Sequence, residues 1–553
     1  MAHWRSSLRL VSGAAFVLGA LLTPLGTSSA APAVNENART LVLSLPGPFT
    51  GCTFFDATAG NSSSAILDLV RPSAFMTSPG GVLVGEGGAI TSTELTSLAP
   101  QTVRYTLAQG LHWSNGALFT ASDLVSWWQR ARRLASIRAD GYRAIKSLSV
   151  SNDGLSVTAT FSSDYADWAM LFRDVEERGV AGGCAISKLQ RDPSLGPYLV
   201  RSATPSRVVL SMNRAWPLDT NRFGRVVITS SPTPARTNEG AFAGYSLVVS
   251  KSNVEALGSY PNLSSRIGTS SDVEELTFAP HGPLTRRVLV RKALSWSLDR
   301  QAMINALWGN VTFSPSVAQS ALFSQGQSAY PGNGGVGPGA QTTTTTSTPT
   351  ATTNGLNDCF TCAVQVLRIA GFDRRASGWF DVRGRILLVR IGVGPSALDR
   401  TVARLVVASW RRLGVPSTVQ TFASDVGTAT AASKGVVDVA IFTRPTTTAP
   451  STTARSWSGP AYPDSFPSGV RMKAVDALYA KAIANFNPVT ANGTWLRLDQ
   501  ILLNAYWVRP LFTMPSLQSW TSTLSTIQGS SFVVGFVDQL PTWSILPLSS
   551  PTS

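Results

Sequence analysis

Residues 103–133 constrain the fold more than any other stretch of the chain. Val103, Tyr105 and Leu107 alternate with polar residues, the period of a half-buried strand. A Gly110 turn leads to a second strand-like piece, Leu111-His112-Trp113, and then to a Ser114-Asn115-Gly116 turn. Thr120 stands three residues before Asp123, an N-cap and N3 pair that opens a helix. Strand and helix are therefore built side by side. The same mixture recurs along the chain. Residues 41–45 read as a strand, and 61–71 as a helix stopped by Pro72. Strict alternation over 147–161, with a turn at Asn152-Asp153-Gly154, predicts a hairpin. In the second half, strands at 275–279, 386–393 and 436–442 are separated by helices at 290–310, 362–372 and 402–413. Helices follow at 475–486 and 495–503. That order is α/β. With 553 residues the chain needs two or three lobes.

Composition bears on the partner. Charged residues are 14% and the formal charge is +15. A basic excess fits nucleic acid, an anionic envelope polymer or membrane headgroups. No Lys/Arg-rich run or nucleic-acid motif occurs, so no nucleic-acid partner is expected. Arg5 and Arg9, a short apolar run over 10–22, Pro24 and the small residues at 28–33 read as a secretory signal peptide ending within residues 1–33. An exported chain suits disulfides among Cys52, Cys184, Cys359 and Cys362. Cys359 and Cys362 form a lone C-x-x-C, and His112 and His281 are the only histidines beyond that peptide. No metal site is expected. No P-loop, H-E-x-x-H, G-x-S-x-G or dinucleotide fingerprint is present, so neither an enzyme nor a cofactor is expected. Residues 332–357, rich in Gly and then Thr, predict a solvated loop.

Residues 103–123 resemble the signature of the family 5 (peptide/nickel-type) extracytoplasmic solute-binding proteins of ABC importers. Further resemblance follows in order: Gly196-Pro197-Tyr198 with Asn213-Arg214-Ala215-Trp216, then 290–310 with Asp299-Arg300. The helix 362–372, the strand 436–442 with Asp438, and the closing strand 507–513 complete it. The resemblance implies a two-lobed periplasmic-binding-protein fold, type II and cluster C-like, with an extra domain inserted in the first lobe. It places lobe I at 34–65, 177–258 and 508–553, the inserted domain at 66–176 and lobe II at 259–507. It implies an exported monomer in the periplasm or cell envelope; relatives are commonly lipoproteins with a cysteine at the cleavage site, and here the sequence departs from them, its first cysteine being Cys52. Such a protein captures a peptide-like or other small polar solute for an ABC permease of the inner membrane. The alternative is a regulatory or scaffold protein of the envelope on the same fold.

The resemblance also implies the site. Solute contacts fall at Ser250, Lys251, Phe278, His281, Thr443, Arg444 and Thr446, with Phe278 as an apolar wall and Arg444 facing an anionic or carbonyl-rich group. Residues 443–451 lack the acid that holds a peptide's α-amino group in peptide-binding relatives. Cys52 and Cys184, both in lobe I segments, are expected to pair, leaving Cys359 with Cys362. Asp299-Arg300 is expected to be structural, a helix-surface ion pair. Of Trp127 and Trp128, one ring is expected in the core and the other at an interface.

Overall fold

Thr40–Ser44 (β1) is buried at every position because it lies inside a ten-stranded sheet that runs through both lobes. The computed structural model describes residues 40–51, 55, 61–180, 185–218, 223–230, 240–260, 262–313, 315–327, 329–331, 358–446, 448–460, 462 and 470–545. Helix α1 (Asn61–Asp68) follows β1. The chain then builds a separate antiparallel sheet from β2 (Ile90–Leu98), β3 (Gln101–Leu107), β4 (Ile145–Val150) and β5 (Ser156–Phe161), in the order β2-β3-β5-β4. Helix α2 (Ala121–Ala131) packs there, and its entry is fixed as the sequence predicts: the Thr120 amide donates to Asp123 at 2.8 Å. Trp127 and Trp128 correct the expectation of one interface ring. Both are buried, and both indole N–H groups donate to Tyr142.

The chain returns to the large sheet through β6 (Tyr198–Thr204), β7 (Arg207–Met212), β8 (Arg225–Thr229) and β9 (Ala241–Ser246), then α3 (Lys251–Gly258). Asn213 locks the return: its side chain donates to Gly196 O at 2.9 Å, and its amide to Pro197 O at 3.0 Å. Gly196 is obligatory, since a Cβ there would meet Leu69 O at 2.6 Å.

Strand β10 (Leu263–Phe278) then crosses to the second lobe. It is far longer than the predicted 275–279 piece, because its first half is too polar to read as a strand. The second lobe adds α4 (Val288–Trp296), α5 (Arg300–Trp308), α6 (Phe360–Ile369), a hairpin of β11 (Phe372–Arg375) and β12 (Gly378–Asp381), and β13 (Val389–Val393). It continues with α7 (Ala397–Leu413), β14 (Ser417–Thr421), α8 (Asp425–Ser433), β15 (Val439–Arg444), α9 (Pro450–Arg455), α10 (Lys473–Ile483) and α11 (Pro488–Asn504). Strand β16 (Val508–Thr521) returns to the first lobe, which closes with α12 (Val533–Val537). The sheet order is β14-β13-β15-β10-β16-β9-β1-β8-β7-β6. The lobes thus share β10 and β16.

The helix predicted at 290–310 is two helices. Asp299 interrupts it by accepting the Ala302 amide at 2.9 Å as an N-cap. Arg300 does not pair with Asp299. It is buried and bonds Asp358, Ala318 O and Pro510 O. Cys359 and Cys362 are joined by a disulfide at the start of α6. Cys52, Cys184 and the loop 332–357 lie outside the described residues.

Candidate functional site: the cleft between the lobes

The site begins where β10 changes lobe. Between the pairs Thr269↔Pro515 and Val273↔Thr513, three residues of β10 oppose one of β16. The excess forms a bulge at Ser270-Ser271-Asp272, a device that bends a strand and re-aims its side chains. The Ser271 amide donates to Ser531 O at 2.7 Å, which fixes the bulge to the C-terminal segment. Asp272 Oδ1 then accepts from Asn61 Nδ2 of α1 at 3.1 Å and from the Thr446 amide at 3.3 Å. One carboxylate thereby ties the first lobe, the crossing strand and the second lobe. Burial pushes its carboxyl up to about 6, against the pull of the Thr446 amide and Arg444.

Thr446 and Thr448, just beyond β15, face Asn61 and Ser64 of α1 across a cleft of about 510 Å³, counted to include space open to solvent. The inserted domain and its exit contribute Arg138, Met170 and Arg173, and the C-terminal segment an apolar wall of Phe532, Val533 and Val534. A second hollow of about 410 Å³ shares Arg138 and Met170 and extends to Tyr165, Ser451, Arg455 and Tyr479. Three arginines and no carboxylate line the two hollows among the described residues.

The acids lie behind the wall. Arg173 donates to Asp68 Oδ2 at 2.8 Å and to Thr77 Oγ1 at 3.3 Å. Asp538 accepts the Thr77 amide at 2.7 Å, and Glu86 the Ser73 amide at 3.1 Å. Asp174 is fully buried with a backbone φ of 49°, and neither of its carboxylate oxygens has a hydrogen-bond partner among the described residues. Burial raises Glu86, Asp174 and Asp538 well above the usual carboxyl range, and the neighbouring Asp68 adds to each. For Arg173 burial acts against the charge, but Asp68, Asp538 and Asp174 outweigh it and raise its pKa. A cation held charged by acids on its hidden side is left to face the cleft.

Direct contacts close the cleft on the side of the inserted domain. Arg455 and Tyr479 of the second lobe both donate to Asp140, and Ser451 donates to Asp167. The Ala166 amide meets Ile483 O at 2.7 Å.

Of the seven residues expected to touch solute, Thr446 lines the cleft. Arg444 braces it from behind: it is 6% exposed, donates from Nε to Glu275 at 2.8 Å and from Nη1 to Thr446 Oγ1 at 3.1 Å. Thr443 donates to buried Glu274 at 2.7 Å. Phe278 is fully enclosed in the core of the second lobe with Leu276, Leu284 and Val290, and so is not a cleft wall. Ser250 caps α3 by accepting the Asn253 amide at 3.2 Å, and exposed Lys251 pairs with Glu255 at 3.7 Å. His281 is exposed beside Gly435. None of these last five lines either hollow.

The residues missed were Asn61, Arg138, Arg173 and Asp272. Two signals were available. The polar triplet Ser270-Ser271-Asp272 interrupts a strand, and Arg173-Asp174 follows the apolar Met170-Leu171-Phe172.

Residues 88–463 match the family described as bacterial extracellular solute-binding proteins, family 5 Middle. The oligopeptide-binding protein OppA of Mycobacterium tuberculosis is 27% identical over 299 residues, 50% of each chain. The probable monoacyl phosphatidylinositol tetramannoside-binding protein LpqW of the same species is 24% identical over 255 residues, 43% of this chain and 40% of its own. The chain therefore matches about half the length of these relatives or less. The periplasmic EDTA-binding protein EppA has the same fold, with a TM-score of 0.75 at 19% identity, covering 92% of this chain and 96% of its own. The two lobes, their shared strands and the extent of the match make this chain a member of the family 5 extracellular solute-binding proteins.

Proposed function

We propose that this protein binds a small polar solute, peptide-like or otherwise anionic or carbonyl-rich, in the cleft and presents it to an ABC permease. One observation carries the reading: Arg138, Arg173 and Arg455 line the two hollows while no described carboxylate does. A solute with a free ammonium group would find guanidiniums and no described carboxylate along these walls, and one with carboxylate or carbonyl groups would meet charge-assisted donors. Thr446, Thr448 and Asn61 supply further polar contacts, and Phe532 to Val534 an apolar face. The name of EppA points the same way, since EDTA is a polycarboxylate. The protein acts outside the cytoplasm as a monomer without catalysis, and residues 1–33 serve as its export signal. The inserted domain is 66–176, and the lobes exchange at the ends of the shared strands, near 258 and 507.

Native mass spectrometry of protein purified from its own host tests this reading. The expected result is a bound small acid or carbonyl-rich solute. Arg138→Ala and Arg173→Ala should each weaken its rebinding by about 1.5–3 kcal/mol, the scale of a charged hydrogen bond. Lys251→Ala should leave it unchanged. A cationic ligand, or unchanged affinity in the Arg138 variant, overturns the site. A cleft empty in protein from the host favours the alternative, a non-transport role in the envelope.

A further inference from the structure

The outer face of the second lobe carries more arginine than its described acidic residues pair with. Residues 368–412 hold ten arginines and three aspartates. Two of those aspartates are buried. Asp381 caps its own turn and pairs with Arg385, and Asp399 sits in the first turn of α7. Asp373 is the exposed one. Arg368, Arg374, Arg383 and Arg411 are all exposed, and none has a carboxylate partner among the described residues.

Two features are built on this face. At one end of the β11–β12 hairpin, Arg374 and Arg411 line an open hollow of about 650 Å³ together with Ser377 and Ser417. The Arg374 guanidinium lies against Gly414, where a Cβ would meet its Cζ at 2.1 Å. Glycine at this helix end, with φ of 86°, gives the arginine its place. At the other end, Val382 is 89% exposed and Ile369 is 73% exposed. They flank Gly371, and Arg368 and Arg383 stand beside them in sequence. The hairpin strands are four residues long, so the two ends are only about 10–13 Å apart.

We infer that this face docks on anionic lipid headgroups, with Arg374 and Arg411 gripping phosphate and Val382 and Ile369 entering the headgroup boundary. Guanidinium is the group suited to phosphate oxygens, and Ser377 and Ser417 add polar lining to an open hollow roomy enough for a lipid headgroup. Unbalanced cations clustered on one face repel one another unless a polyanion neutralises them. Two protruding aliphatic side chains ringed by arginine suit a fluid interface. A stable protein complex would instead bury about 800 Å² on each partner, whereas the two features here lie only about 10–13 Å apart.

Sedimentation of the full chain with lipid vesicles tests the inference. Vesicles of phosphatidylcholine containing roughly one third phosphatidylglycerol should bind it, and vesicles of phosphatidylcholine alone should not. Raising salt from about 0.1 M to about 0.5 M should release it. The double variant Arg374→Glu with Arg411→Glu should lose binding about tenfold or more, and Val382→Asp about threefold. The double variant Arg104→Glu with Arg133→Glu makes the same change in net charge on exposed positions elsewhere, and should bind as the parent does. Melting curves confirm that each variant is folded. Equal loss in both double variants means bulk charge alone, and overturns the surface. Binding to poly-glutamate but not to vesicles overturns it in favour of an acidic protein partner.

Discussion

Two buried ionic clusters solve opposite problems. At the joint of the first lobe and the inserted domain, one cation, Arg173, stands among Asp68, Asp174, Asp538 and Glu86. In the second lobe the ratio is reversed: Arg300 and Arg509 share Asp358. The acid-rich cluster sheds its excess charge by taking up protons, as the raised carboxyls of Asp174, Asp538 and Glu86 indicate. The base-rich cluster has no such escape. Burial pushes Arg509 down only to about 9, so both guanidiniums stay charged at neutral pH, and Arg300 satisfies its donors on Ala318 O and Pro510 O. The first cluster responds to pH and borders the cleft. The second is a fixed brace between β16 and the start of α6.

The largest effect should come from removing the brace. Asp358→Ala removes the carboxylate that Arg300 and Arg509 share, and truncating one partner of a buried ion pair costs about 3–5 kcal/mol. Asp358 is what holds Arg509 up against burial, so without it the guanidinium is lowered further, and the loss measured by urea unfolding should be full at pH 5 and no greater at pH 8. A loss that grows toward pH 8, as the acid-rich cluster's should, would break the contrast between the clusters.

Arg173→Met should cost less and behave differently. With the guanidinium gone, the carboxyls around it are raised further above their unfolded values. A carboxyl raised in the folded state weakens the protein as pH climbs through its folded pKa, because the unfolded chain ionises more easily. Arg71, which also faces Asp174, is committed to Glu176 and Asp192 and does not replace the lost charge. The loss should therefore be larger at pH 8 than at pH 5. Equal losses at both pH values would place Arg173 in the same class as Arg300.

The difference between local and non-local signals decides what the sequence revealed. The entry to α2 was legible because Thr120 and Asp123 are three residues apart and cap one helix. The end of α7 was legible too: the helix expected to stop at 413 ends at Leu413. Motifs whose partners are near in sequence carry their own geometry. The cleft does not. Asn61 and Asp272 are 211 positions apart, and what joins them is a bulge that exists only once β10 and β16 have paired. Phe278 was misplaced because a strand end that reads as a cleft edge is covered here by α4 and its neighbours, leaving the ring fully enclosed. Arg444 was expected to face solute, and the structure places it behind Thr446. Nothing local in Thr443-Arg444-Pro445-Thr446 shows that Glu275 occupies its Nε.

The smallest effect should come from Asp499, where the acid is isolated from both clusters. Its Oδ1 accepts the Ala321 amide at 2.8 Å, and burial pushes its carboxyl up to about 6, against the pull of Ser320 and the Ala321 amide. An unfolded aspartate ionises near 4, so between about pH 4 and 6 the unfolded state gives up its proton first. Stability therefore falls through that window and is flat above it, by a total on the order of 3 kcal/mol for this residue. Asp499→Asn keeps the carbonyl acceptor for Ala321 and removes the ionisation. At pH 4 the variant should match the parent within about 1 kcal/mol, since both side chains are neutral there. At pH 7.5 it should equal or exceed the parent, because it has no buried charge to form. Melting temperatures taken every half unit from pH 4 to pH 7.5 decide the matter. A shallower decline in the variant confirms that isolated buried acids, like the clustered ones, set the pH response of this fold. A parallel decline would restrict that response to the Arg173 cluster.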